Sequence, residues 1–247
     1  MATYDPGPPH AWEELFASAP LDEMVNHSSR RFRVHFGPAF YRGRLDGTAR
    51  VLIIGQDPGT DELLAHRTLI GHSGQRVQRL LGRIGVTRSY LMFNTFLYGV
   101  FHQFDAELRG IAQEPAIETW RNQAFDAAKA ENQLEAVLAF GAAARIAVER
   151  WPGSAGLPLF TLTHPAAPEA TVVADWNRDL SEMAAVIAPD DDGTPDLTPY
   201  VTMGSAEATD IPRMDLPFGV PSWHGTGGAT RSVRNGDDRL IWTAPPV

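Results

Sequence analysis

The sequence predicts an α/β fold: a single three-layer α/β/α domain around a mostly parallel central sheet of about four strands, plus an irregular C-terminal extension. Three observations carry this. Short apolar runs, β-branched or aromatic, recur along the chain. Amphipathic stretches with helical spacing lie between them. Each run ends on a glycine or a polar residue. Such alternation builds a largely parallel sheet covered by helices on both faces.

Residues 1 to about 50 are mixed, with Trp12, Leu15 and Phe16 at helical spacing and a basic, aromatic stretch from Arg30 to Phe36. Pro38, Gly43 and Gly47 then break the pattern. Val51-Leu52-Ile53-Ile54, ended by Gly55, reads as a buried parallel strand. Val77, Leu80, Leu81 and Ile84 make an amphipathic helix closed by Gly85. Tyr90-Leu91-Met92-Phe93 is the second strand and stops at Asn94. Ile117 to Lys129 reads as helix, with Trp120 and Phe125 as core candidates. Val137-Leu138-Ala139-Phe140 is the third strand, and Gly141 opens a helix that stops near Trp151-Pro152. Leu159 to Thr163 is the fourth strand, ending at His164, and Val172 to Ile187 is the last strong helix. Residues 1–189 therefore read as one domain with its core at about 50–187. Residues 190–247, rich in proline and glycine, read as an extension packed on it, because pure disorder seldom carries tryptophans such as Trp223 and Trp242.

Composition narrows the function classes. With 247 residues the chain has ample length for a full core. It has no cysteine, which excludes disulfides, a thiol nucleophile and any thiolate-held zinc or iron–sulfur centre. The net charge of -9 argues against broad coating of nucleic acid, though not against an enzyme that needs only a few phosphate contacts. Lys129 is the single lysine, so the positive charge is almost all arginine, whose fork suits phosphate oxygens. No apolar run approaches membrane-spanning length, and the start at Met1 lacks the pattern of a secretory signal, so a cytoplasmic location is expected. No phosphate-loop lysine, dinucleotide fingerprint or metal-spaced ligand cluster is present, so no cofactor and no metal are expected.

In parallel sheets, ligands sit outside the carboxyl ends of the strands. The residues at those ends here are Gln56 with Asp57, Asn94, Gly141 and His164. Each alone has a plain structural reading: Asp57-Pro58 as a turn, Asn94 as a cap, His164-Pro165 as a strand end. Their convergence on one sheet edge is the more informative pattern.

Taken in order, the motifs resemble the uracil-DNA glycosylase superfamily. They are Gly55-Gln56-Asp57-Pro58 after a buried strand, Leu69-Ile70-Gly71-His72-Ser73-Gly74 before a helix, Asn94, Leu138-Ala139-Phe140-Gly141, and Thr163-His164-Pro165. The resemblance spans about residues 50–187 and implies a monomeric enzyme acting on single- or double-stranded DNA. It implies that Asp57 stabilises a cationic sugar and orients water, and that His164 donates to the departing uracil. Gln56 would cap a carbonyl of the base, and Asn94 would read its edge, accepting from N3 and donating to O4. It places the base-stacking position near Leu69 or Ile70. Aliphatic chains stack less well than rings, and Phe96, Phe101 and Trp223 are alternative sources of one. Pro165, Ala166 and Pro168 fall where the family inserts a wedge into DNA, with Pro168 as the apolar tip. His72 and Ser73 open a helix whose start can meet a phosphate or simply pack. Arg231, with Arg234 and Arg239, extends the candidate DNA surface, although Asp237 and Asp238 can neutralise it.

Two departures matter. Gly59 stands where the best-known uracil-specific branch carries a tyrosine that blocks the thymine methyl group, so broader specificity, including mismatched or deaminated bases, is a rival expectation. The branch most similar around Gly71 and Gly74 carries an iron–sulfur cluster, which a chain without cysteine cannot hold by thiolates. A non-catalytic binder of abasic or uracil-containing DNA, and a small-molecule nucleoside hydrolase, are the alternatives from other classes.

Overall fold

The computed structural model describes residues 4–22, 32–101, 110–202 and 209–220. Five strands form one sheet: β1 (Tyr41–Gly43), β2 (Val51–Gly55), β3 (Tyr90–Asn94), β4 (Ala136–Phe140) and β5 (Leu159–Leu162). Their order is β1-β3-β2-β4-β5. The β2, β3, β4 and β5 pairings are parallel, and β1 lies antiparallel on β3. The helices are α1 (His10–Ala17), α2 (Thr60–Ala65), α3 (His72–Arg83), α4 (Pro115–Glu131), α5 (Ala142–Glu149) and α6 (Glu169–Val186).

Alternation along each strand sorts the core into two sides. Leu52, Ile54, Leu91, Phe93, Val137 and Ala139 pack with Trp12 and Phe16 of α1, Ile117, Trp120 and Phe125 of α4, and Ala144 and Val148 of α5. Val51, Ile53, Tyr90, Met92, Leu138 and Phe140 pack with Val77, Leu80 and Leu81 of α3, and Val172, Trp176 and Met183 of α6. These are the three layers that the sequence predicts. Every residue of β2, β3 and β4 is buried, as strands covered on both faces must be.

The sheet has five strands rather than four. The added one, β1, spans three residues and has a charged centre, Arg42, which is fully buried. Hydrophobic patterning cannot find such a strand, because its stability rests on polar partners distant in sequence. The six-residue helix α2, directly after the loop at residues 55–59, is a second element that the sequence reading does not include. In the C-terminal extension Asp190, Tyr200, Ile211, Asp215, Leu216 and Val220 are buried. Trp223, His224, Arg231, Arg234 and Arg239 lie outside the described residues. Among the described residues, no helix is long and apolar enough to cross a membrane.

This topology fixes the site. The chain runs from β2 to β3 on one side, then crosses to β4 on the other side of β2. Beyond the carboxyl ends of β2 and β4 the connections diverge, which opens a crevice.

Candidate active site

A cleft of about 290 Å³ opens at that edge, lined by Gln56, Asp57, Gly59, Leu69, His72, Ser73, His164 and Ala166 among others. Eight of the residues singled out from sequence thus share one cavity although they come from three separate segments.

The β2 end is built first. Gly55 pairs with Asn94 across the ladder. Thr95 then donates both its backbone N–H and its hydroxyl to the Gly55 carbonyl, each at 2.9 Å, and Phe96 N–H donates to Gln56 O at 2.9 Å. These bonds zip the two strand-end loops together. Farther along, the Val100 N–H donates to Asp57 Oδ2 at 2.7 Å, and Gln56 Nε2 donates to Asp57 Oδ1 at 3.2 Å. The carboxylate is therefore oriented by a backbone group and by its own neighbour.

Asn94 has a different situation. It is 4% exposed, and neither its Oδ1 nor its Nδ2 has a hydrogen-bond partner. A buried amide without partners costs roughly 1–3 kcal/mol for each unmet group. Its position depends on Gly55, where a Cβ would sit 2.4 Å from Asn94 Oδ1. The absence of a side chain at 55 is what lets this amide lie against the end of β2; Asn94 itself is not among the residues that line the cleft.

His164 follows β5. Thr163 is fixed by its N–H donating to Asp175 Oδ2 at 2.6 Å and by its carbonyl accepting from Trp176 Nε1 at 3.0 Å. The Ala166 N–H donates to His164 Nδ1 at 3.1 Å. With Nδ1 as acceptor, the proton of the neutral imidazole sits on Nε2, which makes that nitrogen a donor. The ring packs on Gly141, where a Cβ would come within 3.2 Å of His164 Cβ; Gly141 also has φ +88°. The positive φ favours glycine at the β4 end, and the contact leaves little room for a side chain.

Three cleft groups escaped the sequence reading. Glu62 of α2 is buried, and its Oε1 accepts from the Ile70 N–H (2.9 Å) and the Gly71 N–H (2.7 Å). Burial raises its carboxyl above the ordinary glutamate value, against the lowering effect of those backbone donors. A Cβ on Gly59 would stand 2.7 Å from Glu62 Oε2, so a carboxyl oxygen crowds the side that glycine leaves open. Arg33 also lines the cleft, its guanidinium 5.3 Å over the Phe101 ring and its Nη1 donating to Thr60 Oγ1 at 3.3 Å. Phe101 is thereby engaged by Arg33. The third group is the Val100 N–H described above. A helix position and backbone donors in loops leave little trace in local pattern.

Some expected site residues fall elsewhere. Ile70 is fully buried in a cluster with Ala65, Ile211, Leu216 and Val220, pointing away from the cleft. Consecutive residues take opposite sides here, so Leu69 alone lines the pocket. Phe96 is buried in the core, in tilted contact with Phe32. Pro165 is buried too, and its carbonyl accepts from Arg76 Nη1, so its ring is no surface contact. Pro168 is exposed at the start of α6. Partial burial and the neighbouring Arg76 lower the His72 imidazole, while Glu169 acts the other way. His72 lines the cleft, and its surroundings disfavour the charged imidazole. Among the described residues, no group of three or more His, Asp or Glu is arranged to hold a metal ion.

A family model, the Uracil DNA glycosylase superfamily, matches residues 42–174, more than half of the chain. The chain belongs to this superfamily. The matched span starts in β1, ends within α6, and contains Asp57, Asn94 and His164. Superfamily membership supports a DNA glycosylase of base excision repair with DNA as its substrate. No curated protein matches the chain.

Proposed function

We propose that this glycosylase hydrolyses the N-glycosidic bond of uracil in DNA and leaves an abasic site. The observation that carries the reading is the Asn94 amide, buried with both polar atoms unpartnered at the end of β3, paired across the ladder with Gly55, whose next residues line the cleft. A flipped uracil would meet that demand: N3–H donates to Oδ1, and O4 accepts from Nδ2. Cytosine presents the opposite pattern and is refused when the amide keeps this orientation, which would leave both groups unpaired.

The rest of the cleft suits the chemistry. As the bond from C1′ to N1 breaks, its electron pair moves onto the base and positive charge develops on the sugar. The Nε2–H of His164 donates to the anionic O2. Asp57, held by Val100 and Gln56, stabilises the sugar cation and orients the water that adds at C1′. Preorganised groups aimed at developing charge are usually the largest catalytic contribution. No metal or organic cofactor enters this scheme. Leu69 provides an apolar wall for the base, and monomeric action is sufficient.

Selectivity against thymine falls to Glu62 in this reading, since its carboxyl crowds the wall beside Gly59. The rival, broad excision, is tested with oligonucleotides carrying uracil, thymine opposite guanine, or hypoxanthine, followed by alkaline cleavage of abasic sites. Uracil-only cleavage by the wild type, with thymine cleavage appearing in Glu62→Ala, is expected. Equal cleavage of all three by the wild type contradicts selectivity, and no cleavage contradicts the function.

A further inference from the structure

We infer that residues 209–220 of the C-terminal extension act as a brace for the base pocket, with Asp215 and Arg42 as positioning residues that set Leu69. The inference rests on the reading of Leu69 as the wall against which the base packs.

Leu69 has φ +51°, a left-handed conformation that a leucine adopts only when its surroundings impose it. Two devices impose it. Arg42 Nη1 donates to the Leu69 carbonyl at 2.6 Å, while its Nη2 donates to Gln78 Oε1 at 2.9 Å. On the other side of that carbonyl is Gly74, where a Cβ would lie only 1.7 Å from Leu69 O. The carbonyl is thus clamped between a guanidinium and a bare helix backbone.

Arg42 is in turn held by the extension. It is fully buried, and its Nε stands 3.4 Å from Asp215 Oδ2. Asp215 is fully buried as well, paired also with Arg44 Nη2, and accepts from Tyr90 OH at 2.7 Å. Burial keeps the Tyr90 phenol well above its usual value, so it stays a donor. An apolar contact runs alongside: Ile70, next to Leu69, is buried among Ile211, Leu216 and Val220. A charge network and an apolar cluster therefore reach the same loop from the same twelve-residue segment by different routes. Removing one partner of a buried pair is strongly disruptive, so Arg42→Lys is the informative variant: it keeps a cation near Asp215 and removes the fork that also reaches Leu69.

The test is a double-mutant cycle in the full-length chain, read as single-turnover excision from a uracil oligonucleotide, for wild type, Arg42→Lys, Leu69→Ala and the pair. Arg42→Lys should lower excision roughly tenfold in the wild-type background and less than about twofold when Leu69 is already alanine, because there is no side chain left to position. A merely structural Arg42 would cost the same factor in both backgrounds, which would overturn the inference. Amide hydrogen exchange at Ile70 and Gly71 gives a readout independent of activity. Faster exchange in Arg42→Lys supports the brace, and unchanged exchange sinks it. A wild type that excises nothing, with exchange responding as expected, counts against the functional reading and leaves a brace without a base to serve.

Discussion

The two ends of the sheet handle polar groups in opposite ways. At the amino end, Asp190 accepts from the backbone N–H groups of Thr87 (2.7 Å), Arg88 (2.9 Å) and Ser89 (3.2 Å), and pairs with Arg50 at 2.7 Å. Burial alone would raise this carboxyl; the backbone donors and the Ser89 side chain outweigh it and lower it to about 2. At the carboxyl end, Asn94 is buried with no partner, Leu69 is held in a left-handed conformation, and burial raises Glu62. At the first, a carboxylate is met by several donors; at the second, a buried amide is left unmet beside a strained loop. The difference supports the proposed reading, in which a bound base completes the amide that the fold leaves unpaired.

The sharpest way to break the comparison is at the chemistry. Asp57→Asn and His164→Ala should each reduce single-turnover excision by about 10²–10⁴, with unchanged melting temperature by differential scanning fluorimetry. Loss of folding in either would move that residue into the structural class. Next, Asn94→Ala should lower uracil excision by about 10²-fold or more, while its melting temperature stays level or rises, because no intramolecular hydrogen bond is lost. Asp190→Ala should do the reverse: it strands several donors at once, so stability falls by ~3 kcal/mol in urea titration and excision per folded molecule is preserved.

Acid gives a gentler version of the same contrast. A carboxyl depressed when folded stabilises fully above its unfolded pKa of about 4 and loses that contribution as pH falls through about 2. Wild-type stability should therefore drop more steeply than that of Asp190→Asn between about pH 4 and 2. Smallest of all, Arg33→Ala should weaken binding to DNA only a few-fold and reduce the slope of log affinity against log salt by about one. An unchanged slope would assign Arg33 to packing on Phe101.

The fold was legible because its core follows period: β2, β3 and β4 are unbroken apolar runs, and the helices between them carry apolar stripes. The strand ends were legible for the same reason, since Asp57, Asn94 and His164 each follow a run whose end is plain. What escaped depends on contacts distant in sequence. Arg42 reads as an exposed charge until Asp215, 173 positions later (215 − 42), is placed beside it. Glu62 carries no sequence signal of its own, because its role depends on the loop at Ile70 and Gly71 folding onto it. Leu69 and Ile70 could not be told apart by sequence, because only the backbone turn at φ +51° sends them to opposite sides. Gly59 has no side chain, and the Glu62 carboxyl beside it could not be placed there from sequence.

The most direct test of base excision at this cleft is detection of the released base itself. Enzyme in excess is incubated with matched oligonucleotides containing one uracil, one cytosine or one thymine, and free base is measured by mass spectrometry. Uracil released in amounts equal to the abasic sites formed, with no cytosine and with uracil release abolished in the Asp57→Asn, His164→Ala double variant, is the predicted result. No free uracil from the wild type, or equal release by the double variant, would contradict it.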